Sequence, residues 1–202
     1  MPSQAAVEFG RARVAAGLLL TAASTSPQTR TNASSHKAAC LHAALAMLVA
    51  AWEAYLERLV REVQREIADS TQVKLSAVLS LLVDITESEV RRFNTPNAHN
   101  SRTLLITYIG YDPINDWQWP GGGLSGVQAR ARLDEILRIR HSFAHGFPLP
   151  TDIPWVRSGN RNGVLNIGTL KSVDKFFAHL IVVTDHGVKS HLSLTYGVAP
   201  SW

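Results

Sequence analysis

Arg140 and His145 lie five residues apart in the run Arg138, Ile139, Arg140, His141, Ser142, Phe143, Ala144, His145 and Gly146. Arginine stays charged at any accessible pH, and its planar fork fits a phosphate. Histidine takes or gives a proton near neutrality. A permanent cation close to a titratable imidazole suits phosphodiester chemistry without a metal, and RNA is the first substrate to consider. Each residue also has a plainer reading. Arg140 falls on the apolar stripe of its helix, where a charge is costly unless paired, and Glu53 is a candidate partner. His145, just before a helix-stopping glycine, can act as a favourable cation at the negative end of the helix dipole. Five residues of α-helix rise about 7.5 Å and turn about 140°, so spacing alone does not put Arg140 and His145 on one face. The long arginine side chain, a loosened helix end at Gly146, or a second subunit across a two-fold axis can bring the groups together.

His141 and His145 are one turn apart and do share a face, which raises the question of a metal. A zincin motif needs glutamate directly after the first histidine, and that position is Ser142. No third ligand is near in sequence, so neither a metal nor a cofactor is expected. His36, His42, His99, His179, His186 and His191 are scattered and read as surface or helix-face residues. Gly121, Gly122 and Gly123 lack the lysine and the preceding strand of a phosphate-binding loop. A nucleophile elbow is not found.

The motif sits at the end of an amphipathic helix spanning about residues 124–145, with Leu133, Ile136, Leu137 and Ala144 on its apolar stripe. Gly146 suits the left-handed residue that closes a helix, and Pro148 and Pro150 forbid continuation. Upstream, residues 4–22 read as a first helix, broken near Thr25, Ser26 and Pro27. The strongest periodicity follows: Leu41, Leu45, Leu48, Trp52, Tyr55, Leu59, Val63 and Ile67 recur at three- and four-residue steps. Ser34 or Ser35 can cap this helix, and interspersed alanines let a neighbour approach closely. Residues 71–83 read as a further helix. Thr86 and Glu89 have capping-box spacing and could start a short one. Asn94, Thr95, Pro96 and Asn97 break the chain before a helix that stops at Gly110. Residues 111–123 form a loop whose Trp117 and Trp119 suit a lid or dimer contact, or a structural pin. Residues 146–169 are loop, with a turn signal at Asn162 and Gly163 and room for a hairpin at Val164 and Leu165. A last helix covers about residues 170–193. The expected fold is a single all-α domain over residues 1–202, a bundle of five to seven helices.

Composition fits this reading. With 202 residues and 46% hydrophobic content the chain can bury one good core. Its formal net charge of +4 is compatible with a nucleic-acid partner, and the basic side is 15 Arg against 5 Lys. Arg130 and Arg132 fit a solvated helix face shared with Asp134 and Glu135. Cys40 is the one cysteine, which excludes an intramolecular disulfide and a cysteine-based zinc site. The beginning of the chain lacks a signal-peptide layout, and the apolar run over residues 38–52 is too short for a bilayer. No membrane association is expected, and the expected location is the cytoplasm.

The run from Arg140 to Gly146 resembles the R-polar-x-x-x-H motif of the HEPN superfamily, whose motif helix often reads RN-x-x-AHG. The stretch Ala51, Trp52, Glu53, Ala54, Tyr55 and Leu56 resembles that family's second-helix signature. Residues 92–97 and the ending, from Asp185 to Trp202, are similar to its RiboL-PSP-type branch. The resemblance runs from about residue 35 to the end. It implies an all-α HEPN fold, usually a homodimer with the two motifs facing each other. It also implies a metal-independent endoribonuclease of a toxin–antitoxin or other defence system, with an antitoxin or other regulatory protein as a further partner. By carry-over, Arg140 and His145 are the catalytic pair. His141 stands where asparagine or aspartate is commoner and has an open auxiliary role. Arg138, Glu53 and Trp52 are expected at the substrate-binding surface. Some HEPN members only bind RNA or a partner protein, which is the alternative.

Overall fold

The long helix foreseen around Leu41 to Ile67 is the axis of the molecule. A computed structural model describes residues 1–25, 33–70, 76–156 and 165–202, with the side chains of residues 33, 34, 70 and 76–81 set aside. Within them α1 is Gln4–Thr25, α2 Ala33–Ser70, α3 Ser76–Val90, α4 Ala98–Ile109, α5 Gly126–Ala144 and α6 Ile167–His191. Six helices and no named strand among the described residues agree with the all-α expectation. The Ser26–Pro27 break and the turn at Asn162 and Gly163 with Val164 lie outside the described residues. α2 begins at Ala33, so Ser34 and Ser35 lie inside its first turn and not at its cap.

α2 buries Leu41, Leu45, Leu48, Trp52, Tyr55, Leu59 and Val63, as the three- and four-residue steps require. α1 lies antiparallel along it: the backbone N–H groups of Gln4 and Ala5, at the start of α1, donate to the Glu62 carboxylate near the end of α2. A second carboxylate completes that anchor. Asp185 of α6 accepts from the Ser3 backbone N–H at 2.7 Å and from the Ser3 hydroxyl at 2.5 Å. These two acids satisfy donors that the first helical turn leaves unpaired. α3, α4, α5 and α6 also pack against α2, and one hydrophobic core is shared by all of them.

By length and composition alone, α2 contains a stretch apolar enough to cross a membrane, longer than the run over residues 38–52 suggests. Half of that stretch is buried inside the protein. Its large apolar side chains are committed to the core, as expected of a central bundle helix.

Several local expectations change. Thr86 and Glu89 do not start a helix; they lie in the last turns of α3. The Thr86 hydroxyl donates to the Leu82 carbonyl and accepts from the Gln64 amide, and Glu87 pairs with Arg61 of α2. The hydroxyl is therefore engaged within the helix and unavailable as a cap. α6 begins at Ile167, three residues earlier than foreseen, because Asn166 and Thr169 form a reciprocal cap. It then continues through a π-helical turn over Leu192–Tyr196. The loop carrying Trp117 and Trp119 is pinned to the core. Trp117 is buried, with its indole N–H donating to the Thr184 hydroxyl at 2.9 Å. Trp119 packs on Phe176 and His179 and leaves no room for a Cβ at Gly122, where one would sit 2.3 Å from the indole. Both side chains face their own chain, which favours the structural pin over a lid.

Candidate active site

α5 is defined at both ends by local chemistry. Ser125 and Gln128 form a capping box at its start. At its end the Gly146 N–H bonds to the Phe143 carbonyl and the Phe147 N–H to the Ser142 carbonyl, the paired closure of a Schellman motif. Gly146 adopts φ +68°, a left-handed conformation that glycine takes without strain. The chain therefore leaves the helix at His145, which is the C-cap residue.

The buried face of α5 comprises Ala129, Leu133, Ile136, Leu137, Ile139 and Ser142. Two expectations are corrected here. Ala144 is exposed, and Arg140 is half-buried on the flank of the stripe, with Ile139 in the core instead. Across the helix, Asp134, Arg138, His141 and His145 follow one another at steps of four, three and four residues, so they share the exposed face. The rings of His141 and His145 have centroids 4.3 Å apart at an interplanar angle of 47°. His145 also lies against Phe147, centroid to centroid 5.9 Å. Arg138 makes a bidentate pair with Asp152 across the following loop, both bonds 3.0 Å. That loop is held a second time, because Trp155 donates to Glu135 at 2.6 Å while the Arg132 guanidinium lies 4.6 Å over its ring.

Arg140 faces the α2 side. No carboxylate lies within 4.0 Å of its guanidinium among the described residues, so the direct ion pair with Glu53 is not formed. Its charge still reaches Glu53. Burial and the neighbouring Glu57 raise the Glu53 pKa above the usual carboxylate value, and Arg140 partly offsets them. One turn further on, Phe143 stacks on His42 of α2 with centroids 3.5 Å apart. No hydrogen bond joins Arg140 to His145 within the chain among the described residues, in keeping with the helical arithmetic. Trp52 is corrected as a substrate-binding residue. It is fully buried, its indole N–H donates to the Pro96 carbonyl at 3.1 Å, and it packs on Tyr55, Trp117 and Phe177. No face of it is left for RNA.

Burial against Phe143 lowers the His42 pKa below 6.5. The unfolded chain therefore binds the His42 proton more readily than the folded one. Stability is expected to fall as pH drops through the ordinary imidazole range near 6.5, and to level off below the depressed folded value. Urea midpoints across that range should show a slope that the His42→Phe variant reduces; an unchanged slope would contradict this assignment.

Beside the paired imidazoles is a cleft of about 460 Å³. Asp134, Arg138 and His141 form one wall, and Thr95, Asn97 and His99 the other. Residues 95–99 were legible in the sequence only as a chain break and a point of resemblance, because no local pattern ties them to α5. Among the described residues no three His, Cys, Asp or Glu side chains converge in a metal-binding arrangement.

A family model described as RiboL-PSP-HEPN matches residues 19–181 of the chain. That stretch takes in the last third of α1, all of α2 to α5 and more than half of α6. No curated protein and no solved structure matches it.

Proposed function

The chain belongs to the RiboL-PSP-HEPN family, and from that premise we propose that it is a metal-independent endoribonuclease of a toxin–antitoxin or other defence system. The observation that carries this reading is the exposed His141–His145 pair, ring centroids 4.3 Å apart, on the helix that also presents a half-buried Arg140 without an ion pair among the described residues. The pair offers proton transfer and the arginine an uncommitted guanidinium for phosphate.

In the proposed reaction a base removes the proton of a ribose 2′-hydroxyl. The 2′-oxygen forms a bond to the adjacent phosphorus, the bond from phosphorus to the 5′-oxygen breaks, and an acid protonates that leaving oxygen. The products are a 2′,3′-cyclic phosphate and a 5′-hydroxyl. His145 fills one proton-transfer role, and its mate from a second copy fills the other. Arg140 stabilises the extra negative charge of the pentavalent transition state. His141 orients His145 or joins the proton transfer. Arg140 and His145 diverge on α5, so a homodimer with a shared site supplies the missing proximity. The protein would act on RNA in the cytoplasm, under the control of an antitoxin or other regulatory partner.

The same divergence favours a second reading, a non-catalytic module that binds RNA or a partner protein. Incubating purified protein with RNA in EDTA separates the two. Cleavage that persists in EDTA and leaves cyclic phosphate ends supports the enzyme; cleavage abolished by EDTA sinks the metal-free mechanism. Binding without cleavage, under conditions where a control ribonuclease works, points to the module. A monomer by light scattering at assay concentration would remove the shared site.

A further inference from the structure

We infer that the cleft between α5 and the loop preceding α4 is a subsite for one unpaired nucleotide, selective for bases that carry an exocyclic amino group. This rests on the reading of the protein as one that handles RNA, and adds to it a substrate preference. The cleft's volume, about 460 Å³, is in the range of a small-ligand pocket and suits one nucleotide rather than a duplex. RNA sequence is read mainly on unpaired nucleotides whose bases are splayed into such sites.

The lining is graded along α5. At the motif end stand Arg138 and His141, and His141 also belongs to the imidazole pair, so a phosphate held there lies next to the proposed chemistry. The bond from Arg138 to Asp152 joins two exposed side chains. Both lie in solvent, which screens their attraction, so a phosphate can share or displace Asp152. At the far end, two turns and about 10.5 Å away, stands Asp134. Its Oδ1 accepts the Ala98 backbone N–H at 2.8 Å, and its Oδ2 has no hydrogen-bond partner among the described residues. A carboxylate oxygen can only accept while ionised. It therefore favours the amino groups of guanine, adenine and cytosine; uracil offers only its N3–H, flanked by two carbonyl oxygens that the carboxylate repels. Between the two ends, Leu137 and Pro150 give the base apolar surface.

The test is calorimetric titration of the full chain with the 3′-monophosphates of guanosine, adenosine, cytidine and uridine, in parallel with RNA cleavage. The three amino-bearing nucleotides should bind about tenfold more tightly than the uridine nucleotide, the worth of one charge-assisted hydrogen bond. Asp134→Asn keeps an acceptor for the Ala98 N–H, so α4 stays capped, and it should abolish that preference. Thr95→Trp, on the exposed rim, should weaken all four by filling the cleft. Equal affinity for the four nucleotides, or a preference unchanged in Asp134→Asn, overturns the subsite. Selective binding without RNA cleavage keeps the subsite and removes the endoribonuclease; cleavage by a protein that binds all four alike does the reverse.

Discussion

Replacing His145 by alanine should slow RNA cleavage by about 10²–10⁴-fold, the contribution of a positioned acid or base. Replacing Arg140 by alanine should slow it by about 10²–10³-fold, the scale of one lost transition-state donor. Neither change should cost much stability. His145 is exposed at the C-cap, and its backbone N–H already bonds to the His141 carbonyl. Gly146, not the imidazole, supplies the left-handed turn. Arg140 is half-buried and makes no ion pair among the described residues, so its removal breaks no direct carboxylate contact, and the half-buried Glu53 loses only a partial electrostatic offset. The measurement is single-turnover cleavage of a labelled RNA, with thermal unfolding of each variant as the control. Undiminished cleavage by both variants, with folding intact, would remove the motif from the chemistry. His141→Asn installs the residue commoner at that position and isolates the auxiliary role: cleavage that survives assigns His141 to orientation, and its loss assigns it to proton transfer. Mixing wild-type protein with an excess of His145→Ala then tests the shared site, because a mixed dimer that lacks one of the two imidazoles should lose cleavage beyond simple dilution.

The second large effect is on stability. Trp52→Ala should destabilise the protein by about 3–5 kcal/mol, a large share of the 5–15 kcal/mol typical of a domain. Trp52 is fully buried where α2, α6 and the loop carrying Trp117 meet. Removing the indole opens a cavity that three neighbouring rings would have to collapse into. It also strands the Pro96 carbonyl, which accepts the indole N–H. Trp52→Phe separates the terms, since it keeps most of the volume and loses the hydrogen bond, and should cost about 1–3 kcal/mol. Urea denaturation gives both values. A change below 1 kcal/mol for Trp52→Ala would contradict the core assignment, and impaired RNA binding at unchanged stability would restore the residue to the substrate surface.

Pro96 links the two results. Its carbonyl is held from below by Trp52 of α2, while Asn97 caps α4 through the Asn100 N–H and the Ala98 N–H donates to Asp134 of α5. The loop that forms one wall of the cleft is thus fixed by the core on one side and by the motif helix on the other. Weakening Trp52 should loosen that wall as well as the fold.

Most of the helical framework could be read from the chain alone, because a 3.6-residue repeat and a cap are local properties. The periodicity from Leu41 to Ile67 marked α2, and Gly146 followed by Pro148 marked the end of α5. The same locality explains the misreading at Thr86, since a hydroxyl three residues before a glutamate looks alike in a capping box and inside a helix. Arg140 and His145 were also legible as chemistry, and rotation along the helix already argued against one shared face. Tertiary structure decided the remainder. The pairing of Arg138 with Asp152 spans 14 residues, and the cleft joins residues 95–99 to residues 134–150. Whether Trp52 meets solvent depends on Phe177, 125 residues away along the chain. A sequence displays which residues can donate, accept or carry charge; packing between distant segments determines which of them keep an open face.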